Sequence, residues 1–364
     1  MIKSIRFALI MILVGGCIET YQFRITDTHP GIVVEATLSN KSFNDTRNYP
    51  SDGRYFTVKV TRTSDVTNIR SEAVSYAQVV LTSDQGDEWL YTEDVKTPGL
   101  YQLRDDTFKA VEGVRYKLSV ITPDDTLIES DWQSMPSNAP AIGPIGFQEA
   151  NRQRIVLDQI RDVRGVKPVI SLPPNETGAT TYYRWRFHPT WLYDAPLASS
   201  TSQAIKFCWA TSKLYIRDYA LQADDDGGYN KELFFMDIED NERILHEFSI
   251  LIEQQSLTED YYYFWKEMQD LNKSDGVFAT PPFNVKSNFT ASAGRAFGYF
   301  GVVREEATRW YFNKDDLSYY YEDWLPEACA NPCGPGCPPP ECTNCLRYEG
   351  AEDVTNVRPS WWGR

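Results

Sequence analysis

The sequence predicts a mainly β protein: an N-terminal immunoglobulin-like antiparallel β-sandwich, followed by a larger antiparallel β domain carrying one amphipathic α-helix. Three observations predict it. Short β-like runs recur at close spacing, separated by Gly, Pro and Asp turn signals. Aromatics make up 14% of residues, with 22 tyrosines, a composition that suits strands and aromatic contact surfaces. One segment alone, beginning at Ser256, repeats its apolar positions at helical spacing.

The chain opens MIKSIRFALIMILVGGC. Lys3 and Arg6 precede an apolar run from Phe7 to Val14. That run is too short to span a bilayer, which needs roughly 20 residues; it suits the apolar region of a signal peptide. Val14-Gly15-Gly16-Cys17 resembles a bacterial lipobox, whose cysteine is acylated and becomes the first mature residue. Residues 1–16 therefore read as signal peptide and 17–30 as a lipidated tether. Several acyl chains on Cys17 anchor stably, since each buried methylene adds about 0.8 kcal/mol. Ile18 follows Cys17 where Asp would favour inner-membrane retention, so outer-membrane delivery is expected. Removing the leader leaves 348 of the 364 residues, a length that favours two domains. It also removes Lys3 and Arg6, taking the net charge from −15 to −17. So acidic a chain, with no basic run, argues against nucleic acid and against electrostatic docking on anionic lipid.

The first domain is expected over 31–134. Its runs are Gly31 to Leu38, Tyr55 to Arg62, Ala77 to Thr82, Glu88 to Thr92, Gly99 to Leu103, Val114 to Ile121 and Thr126 to Trp132. Phe56, Val58 and Val60 alternate with Thr57, Lys59 and Thr61, the period of a half-buried strand. Residues 135–147, with three prolines and two glycines, read as a linker. The second domain, 148–325, adds runs at Thr180 to Phe187, Ala204 to Ala210, Lys231 to Met236, Leu245 to Gln254 and Phe297 to Val303. Ser256-Leu257-Thr258-Glu259 has the form of a capping box, and Leu257, Tyr261, Phe264, Met268 and Leu271 follow at helical spacing. A helix over 257–273 is expected, its aromatic face packed as core.

No catalytic or cofactor pattern emerges. The three histidines, His29, His188 and His246, are far apart and form no HExxH. There is no nucleophile elbow and no phosphate-cradling glycine loop. The acidic run from Asp224 to Asp226 lacks the alternate spacing of a calcium loop and reads as a solvated turn. No cofactor, metal site or enzymatic activity is expected.

Residues 326–364 form a Cys/Pro-rich tail. Its cysteines, Cys329, Cys333, Cys337, Cys342 and Cys345, contain a single C-x2-C, a poor match to a zinc site, and no βαβ context for a redox motif. Outside the cytosol disulfides persist, so disulfides are favoured over zinc or redox chemistry. The tail count is odd. If all six cysteines after Cys17 pair within the chain, Cys208 must bond one of the tail and strap it to the second domain.

Specific stretches carry a resemblance: RWRFHPTWLYDAP (184–196), CWATSKL (208–214), SLTEDYYYFWKEMQDLNKSDGVFATPPFNVKSN (256–288), GYFGVV (298–303) and NVRPSWW (356–362). With the lipobox and GIVVEATL, the chain resembles the domain-of-unknown-function 4249 family of Bacteroidota outer-membrane lipoproteins. The resemblance implies a non-enzymatic accessory lipoprotein of a TonB-dependent transporter, binding a ligand or gating the barrel. Surface adhesion, and hydrolysis of glycan or peptide, are the alternatives. It carries over no catalytic residue. The implied location is the outer membrane, lipid-anchored, facing the cell surface. Only Glu19 supplies an acidic residue after Cys17, so the periplasmic face stays open.

Overall fold

The computed structural model describes residues 31–363, apart from 50, 64–71, 138, 157–158, 177, 214–215, 217–218, 274–284 and 331–337. Cys17, His29, Cys333 and Cys337 lie outside the described residues.

The first half comprises β1 (Ile32–Ser39), α1 (Phe43–Asn48), β2 (Phe56–Arg62), β3 (Glu72–Ala73), β4 (Gln78–Ser83), β5 (Glu88–Glu93), β6 (Leu100–Leu103), β7 (Tyr116–Ile121) and β8 (Leu127–Ser130). A hairpin follows, β9 (Ile145–Val156) and β10 (Gln159–Ser171). Next come β11 (Thr181–Asp194), α2 (Gln203–Lys206), β12 (Phe207–Thr211), β13 (Tyr219–Asp224), β14 (Asn230–Glu232), β15 (Met236–Asp237) and β16 (Phe248–Leu257). Helix α3 (Glu259–Lys273), β17 (Phe289–Ala291), β18 (Ala296–Phe312), α4 (Leu325–Ala330), α5 (Pro340–Thr343) and β19 (Asp353–Thr355) complete the chain. The fold is mainly β with large antiparallel sheets.

Alternation builds the first half. In β2, Phe56, Val58 and Val60 are buried while Thr57 and Lys59 face out. They meet Val79 and Leu81 of β4 and Leu118 and Val120 of β7 across a shared core, with β5 carrying the sheet from one layer to the other. This is a sandwich, but the boundary drawn at 31–134 needs correction. Phe289 of β17 and Phe300 and Val302 of β18 lie in the same core. Strand β17 pairs with β8, and β18 pairs in parallel with β1 from Ile32↔Ala296 to Ser39↔Val303. Without β18, one side of β1 would be an open edge of unpaired backbone groups.

The expected second domain, 148–325, is likewise not separate. Beyond Val303 the same strand β18 pairs antiparallel with β16, from Ser256↔Arg304 to Phe248↔Phe312. The sheet then continues through β11 to β12 and β19. Among the described residues fifteen strands thus form one continuous sheet, while β9, β10, β14 and β15 make a second of four. Trp185, Phe187, Ile250, Ile252 and Phe312 fill the core of this half.

Three further expectations change. The helix begins at Glu259, not 257. Ser256 and Leu257 remain in β16, where Leu257 pairs with Tyr182 and is buried. The carbonyl of Thr258 accepts the first helical N–H, from Tyr262, so Thr258 takes the capping place expected of Ser256. The linker ends early, at β9, and is tied down: Gln254 Nε2 donates to Pro140 O at 3.1 Å, and Ile142 N–H donates to Glu306 Oε2 at 2.7 Å. The β9–β10 hairpin was not expected. Its outer part is exposed on both faces, Ile155 and Ile160 included.

The tail is bound to this scaffold. Cys208 of β12 is disulfide-bonded to Cys345, and Cys329 to Cys342. Tyr348 stacks on Tyr193 at 4.2 Å, and β19 adds to the edge of β12. The Cys208–Cys345 bridge spans 137 residues, which by chain entropy stabilises by about 4–5 kcal/mol. Cys208→Ala should therefore lower the melting temperature and expose one labelable thiol at Cys345 under native, oxidised conditions. An unlabelled variant that melts like wild type would contradict this bridge.

Candidate functional site

The three central strands, β11, β16 and β18, have two unlike faces. On β11, Trp185 and Phe187 point into the core, so Arg184, Arg186 and His188 point to the opposite side. Cross-strand register extends this polar face. Arg184 stands beside Gln255 and Gln255 beside Glu305; Arg186 stands beside Glu253. All ten residues of β16 are buried, so these polar groups must be satisfied within the protein.

They largely satisfy one another. Gln255 Oε1 accepts from Arg184 Nε and Nη2 at 2.8 and 2.5 Å, and Gln255 Nε2 donates to Glu305 Oε2 at 3.1 Å. Arg54, from the loop before β2, donates Nη2 to Glu305 Oε1 at 2.5 Å and lies 3.9 Å from Glu253 Oε1. Arg186 Nη1 is 3.5 Å from Glu253 Oε2. His188 Nε2 lies 3.2 Å from the same oxygen, without the alignment of a hydrogen bond.

Burial alone would raise the Glu253 carboxyl. The basic groups Arg54, His188 and Arg186, acting at the low pH where Glu253 titrates, outweigh it and hold that carboxyl well below its ordinary value. Burial lowers His188, more than Glu253 raises it, so the imidazole is neutral at pH 7. Burial also lowers Arg184.

The polar face opens into a cleft of about 750 Å³ between the two halves. Its floor is the outer face of the first sandwich: Val33 and Glu35 of β1, Lys59 of β2, and Phe297 and Tyr299 of β18. Helix α3 walls it with Tyr261, Phe264, Trp265 and Met268, and Arg54, Arg184 and Arg186 close one end. The helix approaches closely because Gly301 has no side chain; a Cβ there would lie 2.2 Å from the Tyr261 ring. Tyr261 OH and Thr37 Oγ1 share a hydrogen bond of 2.7 Å, linking helix to floor.

Charge is unbalanced here. Arg54, Arg184 and Arg186 face two carboxylates, Glu253 and Glu305. Arg184 is 2% exposed; it donates to Gln255 and has no carboxylate of the described residues at ion-pair distance. Its guanidinium lies 4.1 Å above the Trp265 ring and 5.3 Å from that of Tyr261. Such stacking is worth about 2 kcal/mol when desolvated, less than the several kcal/mol that a buried ion costs. Nε1 of Trp265 is also buried and has no acceptor among the described residues.

The site residues expected from the sequence lie elsewhere. The four described cysteines hold the tail, and His246 sits 3.8 Å from Asp194. Asp224 accepts from Gly227 N–H and Tyr229 OH, and Asp225 from Thr180 OH, so this acidic turn uses its carboxylates internally. Among the described residues no group of three His, Cys, Asp or Glu is placed to hold a metal. Arg184, Arg186, Glu253, Gln255 and Glu305 were missed. For Arg184 and Arg186 alone a signal was available, in the alternation RWRFH over 184–188, which puts basic residues on one side of a strand and aromatics on the other.

Glu253 generates a pH prediction. Its folded pKa is depressed, so its contribution is present above its ordinary value of 4.5 and lost as pH falls through the folded value. Glu253→Gln should cost about 1–3 kcal/mol at pH 7, since it takes the carboxylate from half-buried Arg186 while Arg54 keeps Glu305. It should also flatten the acid limb of stability below about pH 4.5. Urea melts with equal acid slopes for both proteins would contradict the assignment.

No curated protein matches the chain. The family model for the domain of unknown function DUF4249 matches residues 18–309, leaving the disulfide-held C-terminal part outside the match. With most of its length so matched, this chain belongs to the DUF4249 family.

Proposed function

We propose that the protein is a non-enzymatic outer-membrane lipoprotein, tethered through Cys17, that binds a ligand as the accessory partner of a TonB-dependent transporter. The cleft beneath α3 carries the ligand-binding part of this reading. Its 750 Å³ falls within the range of small-molecule sites, and it combines an aromatic lining with a few convergent polar groups. The tether and the transporter rest on the lipobox and on the family resemblance. Of the alternatives, hydrolysis needs a carboxyl kept protonated to act as acid. Glu253 has the opposite environment, held ionised by three basic neighbours. No observation singles out adhesion.

Capture of the tagged protein from detergent-solubilised outer membrane tests the proposal. A TonB-dependent barrel identified by mass spectrometry should copurify with it. Cys17→Ala should leave the protein as an unprocessed precursor or release it from the membrane, and the barrel should be lost from the capture. Recovery without any barrel, or Cys17→Ala retained in the membrane like wild type, would contradict it.

A further inference from the structure

Arg184 and Trp265 narrow what the cleft can take. Both line it. Arg184 is a buried cation without a carboxylate partner among the described residues, stacked on a ring whose own N–H has no acceptor. Arg54 and Arg186, by contrast, are already engaged by Glu305 and Glu253. On the cleft floor, Glu35 stands cross-strand from Lys59, so the two charges there offset each other. The surplus at the closed end is a single positive charge. Away from that end the lining turns apolar, with Phe264, Met268, Val33 and Phe297.

We propose that the cleft holds an organic monoanion with an apolar or aromatic body, its oxyanion seated against Arg184 and the Trp265 indole N–H. This rests on reading the cleft as a ligand site. A monoanion matches the surplus charge, whereas a dianion would overcompensate it. A guanidinium offers forked donors to an oxyanion, and a charge-assisted hydrogen bond is about twice as strong as a neutral one. The apolar body would cover the ring edges of α3 and the floor, and the closed end would orient its charged head.

The test uses isothermal titration calorimetry on the full lipidated protein in detergent, with the micelle blank subtracted. The probes are 4-phenylbutyrate and its uncharged amide, 4-phenylbutanamide. The acid should bind with 1:1 stoichiometry and the amide at least tenfold more weakly. Arg184→Gln should weaken the acid about ten- to a hundredfold and leave the amide unchanged, while Arg184→Lys, which keeps the charge but not the fork, should fall between. Trp265→Phe keeps an aromatic ring but removes the N–H donor with part of the bicycle; it should weaken the acid severalfold and leave the amide nearly unchanged, and that difference decides the matter if the Arg184 variants do not fold. An amide that binds wild type as well as the acid, or variants that discriminate as wild type does, would overturn the anion while leaving a ligand-binding cleft. Failure of both probes to bind would overturn the cleft reading along with it.

Discussion

A fully buried carboxylate, Glu305, sits where one strand changes partners. Up to Val303, β18 belongs to the first sandwich through β1; from Arg304 it belongs to the second half through β16. At this junction Glu305 binds both sides. Its backbone N–H donates to Asn40 Oδ1 at 2.7 Å, and its carbonyl accepts from Tyr49 OH at 3.4 Å. One carboxylate oxygen takes Arg54 from the first half and the other takes Gln255 from the second. Leaving any of these groups unpaired in the interior would cost about 1–3 kcal/mol, more for a charge. Geometry at this one residue therefore constrains both halves at once.

The unusual polarity of the central sheet follows from that constraint. A strand covered on both faces normally reads as a continuous apolar run. Strand β16 is covered on both faces yet carries Glu253, Gln254, Gln255 and Ser256. The apolar side packs as an ordinary core, whereas the polar side meets α1, the loop bearing Arg54, and α3. A connected polar network of this kind tends to rigidify its surroundings. It also leaves a cleft where β-sheet and helix cannot close together, since the helix is held off the floor by ring-sized side chains except at Gly301. The candidate ligand site is thus a by-product of how the halves are joined.

Much of the fold was legible locally. The run read from Tyr55 to Arg62 is a strand from Phe56 to Arg62, because one buried face forces alternation. The α3 helix was legible because Tyr261 and Phe264 recur on one side, although it starts two residues later than expected, with Leu257 kept by the sheet and Thr258 as the cap. Cysteine parity required a bridge between Cys208 and the tail, provided that all six paired, and Cys345 provides it. The pairing of β1 with β18 was not legible. Its partners are far apart in the chain, Ile32 with Ala296 and Ser39 with Val303, and nothing in GIVVEATL or GYFGVV names a partner. The β9–β10 hairpin escaped because QEANRQRI (148–155) and QIRDVR (159–164) are largely exposed and show no period. The polar ladder escaped because each of its charges, taken singly, looks like a solvated surface residue; only register reveals that they face one another in the interior.

If the two halves are joined through Glu305, they should lose order together. Hydrogen exchange followed by mass spectrometry on Glu305→Gln measures this directly, since exchange resolves cooperative units within one chain. Amides of β1 and β2 in the first half, and of β16 and β11 in the second, should all lose protection relative to wild type and to a similar degree. Loss confined to one half, with the other as protected as in wild type, would contradict the claim that the shared strand makes them one unit.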